Sequence, residues 1–334
     1  MNILIITQSV DKKNQVLGFF HRWIEEFAQQ FDYVTVICLE KGEYSLPDNV
    51  NVFSLGKEYK ASKLQLIFNF YKYVWGQRDR YDVVFVHMNP VYVILGSLLW
   101  FVLNKKVGLW YTHKHIDIKL RIATLLSDFI FTASEESFRL KTKKRYVLGH
   151  GIDTRLFCPR PHSMSYKIVT VGRIAETKKL IEIFRVFKKL KELNSAYTLT
   201  IIGDAILPRD FEYKKKLIDC IASERHKDSV ILLGNKSQSE LATLLPSYDI
   251  FINMSHTGSV DKALLEAAAS GLYIVTSNEA FKSIFPFAYV EETTNALVEK
   301  ILHIQNVSSE HIREIIVKSF DLTTLLQKIK KNYE

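Results

Sequence analysis

The chain has 334 residues, 47% hydrophobic content and no low-complexity stretch, which excludes a disordered chain and allows two domains with sizeable cores. Cys38, Cys158 and Cys220 are odd in number and show neither a CxxC nor a metal-ligand spacing, so a disulfide scaffold is excluded and a reducing cytoplasm expected. A formal net charge of +9 asks for an anionic partner, whether nucleic acid, an anionic membrane face or a phosphorylated substrate.

Residues 3–7 read as a buried strand and lack the basic start and small-residue cleavage site of a secretion signal. Phe20, Trp23, Ile24 and Phe27 recur at helical spacing within 19–30, and 33–39 reads as a second strand. The stretch 57–80 interleaves Lys57, Lys60, Lys63, Lys72, Arg78 and Arg80 with Leu64, Phe68, Phe70, Tyr71 and Trp75. Such a helix fits an anionic membrane surface, but the plainer reading is an ordinary amphipathic helix that packs its aromatics on a sheet, since helices flanking a parallel sheet must bury an apolar face anyway. Strands at 82–87 and 107–112 flank an apolar helix at 91–103, a run shorter than a bilayer span. Strands at 129–133 and 145–148 complete a series whose β/α alternation implies a parallel, doubly wound sheet with ligands at the carboxyl ends of its strands.

Cys158-Pro159-Arg160-Pro161-His162 reads as a linker, after which the pattern restarts. Strands are expected at 167–171, 198–202, 230–233, 250–254 and 273–276, and helices at 179–193, 211–224 and 238–245. The fold class is therefore α/β, with two Rossmann-like doubly wound domains, residues 1–158 and 159–308, facing a central cleft. The helical segment 309–334 finishes either domain.

The chemistry concentrates at strand ends. Behind the apolar run 249–254 stands Ser-His-Thr-Gly-Ser-Val-Asp-Lys-Ala-Leu-Leu-Glu-Ala-Ala-Ala-Ser-Gly, a polar loop before a small-residue helix. A helix N-terminus there would aim unpaired N–H groups at an anion, with Glu266 one to two turns further on to meet a hydroxyl. Gly172 and Arg173 follow the strand 167–171, and Lys178 supplies a point charge where the next helix starts; a solvated basic surface is the plainer reading. His150, Gly151 and Asp153 end the first domain, either lining the cleft or forming a turn that Asp153 caps. Gly203, and Gly234 with Asn235 and Lys236, are further strand-end turns. In the first domain Gly18 follows a polar loop, and His113 ends a strand where it could meet a reacting sugar or serve structure alone; His87, Lys114 and His115 are weaker candidates.

In this order and spacing the segments resemble the retaining GT-B glycosyltransferases of family 4 (glycosyl transferases group 1) along nearly the whole chain. The Thr-Gly-Ser-x-Asp-Lys loop resembles that of a subset of the family. The resemblance implies an acceptor-binding first domain and a second domain that binds a nucleoside diphosphate sugar. Arg173 and Lys178 would neutralise the diphosphate, assisted by N–H groups from Val260 to Lys262, and Glu266 would hold the ribose. His113 matches the family's histidine near the transferred sugar, and Gly18 its N-terminal glycine loop. The glutamate the family usually places eight positions before Glu266 is replaced here by Gly258, followed by Ser259, which implies either that Asp261 or Lys262 takes over the donor contact or that the donor sugar sits differently. Transfer would retain anomeric configuration, with no metal or other cofactor, and with the donor phosphate taking the acceptor proton.

The acceptor expected is a glycan or a lipid-linked sugar, the location cytoplasmic at the inner membrane face, and nucleic acid is not expected as a partner. Two alternatives remain open: a nucleotide-sugar epimerase of the same architecture, and a non-catalytic protein that binds sugar nucleotides or membranes.

Overall fold

The strands of the first half are β1 (Ile3–Val10), β2 (Val34–Lys41), β3 (Val50–Ser54), β4 (Val83–His87), β5 (Lys106–Trp110), β6 (Phe129–Thr132) and β7 (Arg145–Val147). In this computed structural model, which describes residues 1–14, 17–160, 163–255, 260–282, 284–304 and 308–334, they form one parallel sheet in the order β3-β2-β1-β4-β5-β6-β7. The central strands carry unbroken apolar runs because both faces of a parallel sheet are covered. Ile3 to Ile6 on β1 and Val84 to Val86 on β4 have no exposed surface.

The helices between these strands are α1 (Phe19–Gln30), α2 (Lys63–Gly76), α3 (Pro90–Val102) and α4 (Ile118–Leu126). Each of the last three starts at a side chain that accepts an otherwise orphaned N–H: Ser62 for α2, Asn89 with Pro90 behind it for α3, and Asp117 for α4. Phe70 and Val74 of α2, Trp100 of α3 and Leu120 of α4 pack into one apolar cluster with Leu4 and Ile6. Trp23 and Phe27 of α1 join Ile3, Ile5 and Phe85 in another.

In the second half β8 (Lys167–Val171), β9 (Thr198–Ile202), β10 (Val230–Gly234), β11 (Ile250–Asn253) and β12 (Tyr273–Thr276) form a parallel sheet in the order β10-β9-β8-β11-β12. Its helices are α5 (Leu180–Leu193), α6 (Pro208–Ala222), α7 (Gln238–Leu244), α8 (Lys262–Ala269), α9 (Thr294–Leu302) and α10 (Ser309–Phe320). Phe184 and Phe187 of α5 pack with Ile168 and Leu199, while Leu265 and Ala268 of α8 pack with Ile312 and Ile316 of α10. The alanines of α8 let these elements approach closely.

The last helix, α11 (Leu322–Tyr333), belongs with the first half. Leu326 and Ile329 enter the α1 cluster, Thr323 donates to Glu26 at 2.8 Å, and the Tyr333 hydroxyl donates to the Val84 carbonyl at 2.7 Å. The two compact units are accordingly Met1–Gly151 with Leu322–Glu334, and Ile152–Asp321. Among the described residues no helix is long and apolar enough to cross a membrane.

The expected strands and helices occur within a few residues of their expected ends, except that the basic aromatic helix read over 57–80 is shorter, spanning Lys63–Gly76. Sequence reading missed β3, a half-exposed edge strand beside β2, and two helices, α4 and α9, while the helical segment expected over 309–334 is present as α10 and α11, divided at Asp321.

Candidate functional site

In the second unit the chain runs from β8 outward through β9 to β10, then returns to the other side of β8 for β11 and β12. The connections leaving β8 and β11 therefore diverge, and such a reversal opens a crevice at the carboxyl ends of the strands. The Gly172-Arg173 loop leaves β8 here, and the segment leading to the start of α8 leaves β11.

Main-chain crowding explains the glycines of this region. Gly203, at φ +135°, lies so close that an added Cβ would stand 2.0 Å from the Gly172 carbonyl oxygen. Gly172, at φ +150°, leaves room for Lys178, whose Cε would be 3.3 Å from a Cβ placed there. The Gly172 N–H donates to Ile202 at 2.9 Å, the Gly203 N–H to Gly234 at 2.8 Å, and the Ile174 N–H to Asp204 at 3.0 Å. These bonds lace three strand ends into one platform.

On this platform the Lys178 ammonium binds the Asp261 carboxylate. Asp261 is also the N-cap of α8, accepting from the Ala263 N–H at 3.3 Å, and it receives the Asn253 amide at 3.1 Å. Burial pushes the Asp261 carboxyl up, but Lys178, Asn253 and the Ala263 N–H outweigh it and hold its pKa below the usual carboxylate range. Arg173, 35% exposed, has Nε 3.4 Å from the buried Asp210 carboxylate, which itself accepts from the Leu207 N–H at 3.1 Å at the start of α6.

One turn into α8, Glu266 is 5% exposed. Lys262 lies 3.3 Å from its carboxylate, and the Gln238 amide of α7 donates to it at 3.2 Å. Burial lowers the Lys262 pKa, against the opposing pull of Glu266 and Asp153. At the other end of α8, Arg313 donates to the carbonyls of Ala269, of Phe157 at 2.8 Å and of Thr154 at 3.0 Å, fixing the helix against the turn 154–157. This chemistry suits an anion at the helix start, where the dipole is positive, and a hydroxyl-bearing group beside Glu266.

The second unit thus brings together Lys178 with Asp261, and Lys262 with Glu266 and Asp153. Asp153 caps its own turn, accepting the Arg155 and Leu156 N–H groups at 3.1 Å each. Val260 is buried just before the α8 cap. Gly258 and Ser259 lie outside the described residues. Lys236 pairs with Glu240 at 3.3 Å, next to Asn235 on the loop before α7, and lines a shallow pocket with Leu233 and Leu244.

Four candidates belong to the first unit. Gly18 precedes α1 in a turn so tight that a Cβ would lie 2.5 Å from the Asn14 carbonyl. His113 stands on the loop after β5, its pKa lowered by desolvation and then by His115. His150 precedes Gly151, whose missing side chain makes room for Leu322, Leu325 and Trp23, so the close approach there is to packed side chains. The weaker candidate His87 is a core residue: it stacks on Phe20 at 3.9 Å, and burial pushes its pKa down to about 3.

Sequence reading missed three groups at the second-unit site. Asn253 carried a signal, being the one amide in the apolar run of β11, whereas Gln238 and Asp210 looked like ordinary first-turn residues of surface helices.

Residues 159–285 match the family model described as glycosyl transferases group 1. Among curated proteins, the chain is 23% identical to the UDP-Gal:alpha-D-GlcNAc-diphosphoundecaprenol alpha-1,3-galactosyltransferase of Escherichia coli, over 91% of this chain and 89% of that one. It is 32% identical to the amylovoran biosynthesis glycosyltransferase AmsK of Erwinia amylovora, over 34% of this chain and 28% of that one. Among solved structures, Anabaena HepE in complex with UDP superposes with a TM-score of 0.77 at 16% identity, covering 99% of both chains. A glycosyltransferase of Rickettsia africae superposes with a TM-score of 0.73 at 15% identity, over 99% of this chain and 97% of that one. The two parallel-sheet α/β units therefore have the GT-B fold, and a glycosyl transferases group 1 domain makes up most of the second.

Proposed function

We propose that this glycosyltransferase takes its sugar from a nucleoside diphosphate donor, a uridine one above all, and passes it with retention to a growing lipid-linked glycan. The single observation that carries the donor reading is the Lys178–Asp261 pair at the start of α8, the helix that carries Glu266 one turn on; Arg173, on the loop leaving β8, is paired with Asp210. The uridine and lipid-linked choices draw on the Escherichia coli relative, named for UDP-Gal and a diphosphoundecaprenol acceptor.

In this reading an ammonium has three donors, and Asp261 orients Lys178 so that the others meet the diphosphate. Arg173, directed by Asp210, offers its remaining N–H groups to the same charge, and the N-terminal amides of α8 add the dipole. These cations stabilise the leaving diphosphate without calling on a metal. Glu266, held by Lys262 and Gln238, takes the ribose hydroxyls. Gly18 gives the N-terminal loop its close approach, and His113, kept neutral by its lowered pKa, hydrogen-bonds the transferred sugar. The donor phosphate accepts the acceptor proton. Asp261 or Lys262 assumes the donor-sugar contact where Gly258 replaces an acidic residue.

The test is incubation with UDP-galactose, UDP-glucose and UDP-N-acetylglucosamine and a polyprenyl-diphosphate sugar, with the product's anomeric configuration read by proton NMR. An α-linked product from an α-donor supports the reading. A β-linked product defeats retention, and epimerised donor formed without acceptor defeats transfer.

A further inference from the structure

The outward faces of α2, α3 and α4 are apolar. Leu64 and Phe68 on α2, Leu98 and Phe101 on α3, and Ile118 and Leu125 on α4 are between 68% and 83% exposed. Their spacings, four, three and seven residues, each describe one stripe of a helix. Every one of these helices already buries a different apolar stripe against the sheet, through Phe70 and Val74, through Trp100, and through Leu120, so the outer stripes are not needed for the core. The three helices are neighbours: the Tyr71 hydroxyl donates to the Leu95 carbonyl at 2.9 Å, tying α2 to α3, and α3 packs on α4. Single exposed apolar residues are ordinary, but a contiguous set across three helices marks a contact surface.

Charge tells what the surface contacts. Residues 57–126 hold eleven Lys and Arg against four Asp and Glu, a surplus of seven in a chain whose whole net charge is +9. Among the described residues Lys60, Lys63, Lys119 and Arg121 form no ion pair. Long basic side chains beside an apolar stripe lay their stems on it and lift their charges to the headgroups. Trp75 lies on the same face of α2, with the Arg78 guanidinium 4.6 Å from its ring centroid, a pairing suited to the boundary between acyl chains and headgroups.

We propose that the α2–α3–α4 face of the first unit lies on an anionic lipid bilayer, its apolar stripes in the acyl boundary and its lysines on the headgroups. The inference rests on this surface alone and does not need the donor reading. A protein partner would call for acidic groups to complement the lysines and for a groove, whereas a bilayer matches outward stripes on three side-by-side helices.

The experiment is sedimentation of the full chain with vesicles of phosphatidylcholine alone, and with about a third phosphatidylglycerol, for wild type, a Leu98→Gln/Phe101→Gln variant and a Lys60→Glu/Lys63→Glu variant. Wild type is expected to partition at least about tenfold more strongly into the anionic vesicles, and each variant to lose about tenfold while keeping its melting temperature. A second apolar variant, Leu64→Gln/Phe68→Gln, replaces the first if that one melts early. No binding of wild type to anionic vesicles overturns the proposal. So does a wild-type dimer in light scattering that the apolar variants turn into monomer, which assigns the face to a second copy of the chain.

Discussion

Lys178 binds Asp261, the residue that caps the helix carrying Glu266, across a separation of 83 residues. One ion pair thus joins the β8 side of the second unit to the start of α8. Asp261→Asn should lower stability at neutral pH by roughly 1–3 kcal/mol, less than for a fully buried pair because Lys178 is partly exposed. The Asp261 pKa is held below its ordinary 3.8, so the native state binds fewer protons than the unfolded state around that pH. Its contribution is complete above pH 3.8 and is lost as pH falls through the lower native value, so urea melts of wild type and variant should converge in acid.

Gly203→Ala should destabilise the second unit by roughly 2–4 kcal/mol, combining a disfavoured positive φ with overpacking. An added Cβ stands 2.0 Å from the Gly172 carbonyl, so backbone has to move, and the loop bearing Arg173 moves with it. Urea denaturation reads the first effect, and a weakened affinity for UDP in the folded variant reads the second.

His87 gives the first unit an acid-sensitive core. Its pKa falls from 6.5 to about 3 through burial, so between those values the unfolded state holds the extra proton. Stability from this group is complete above pH 6.5 and declines as pH falls, by up to ~1.4 kcal/mol per pH unit. His87→Gln should flatten the acid limb of stability against pH by about that slope, measured by chemical denaturation at several pH values. An unchanged slope would mean that His87 is solvated when protonated.

Much of the fold was legible because its strands are apolar on both faces. The runs Ile3 to Ile6 and Ile250 to Ile252 could only be buried, and glycines behind such strands marked the strand-end loops. The edge strand β3 was not legible, since Val50 to Ser54 is half exposed and its pairing partner β2 supplies most of its reason to be extended. Helix α4 escaped notice because Ile118 and Leu125 point outward while Leu120 and Ala123 point in, which blurs the helical period. At the site, Glu266 could be placed on a helix from the motif alone. The Lys178–Asp261 pair and the contact between Gly203 and Gly172 could not, since both are made by strand order and not by spacing along the chain.

Arg173 and Lys178 are proposed to hold a diphosphate at the carboxyl edge of the second sheet. Calorimetric titration of wild type, Arg173→Ala and Lys178→Ala with UDP tests it most directly, with GDP and ADP as controls. Selective binding of UDP by wild type is expected, with a loss of roughly 1.5–3 kcal/mol in each variant, about ten- to 150-fold in affinity. Equal UDP affinity in all three proteins, or no nucleotide binding by the folded wild type, would contradict it.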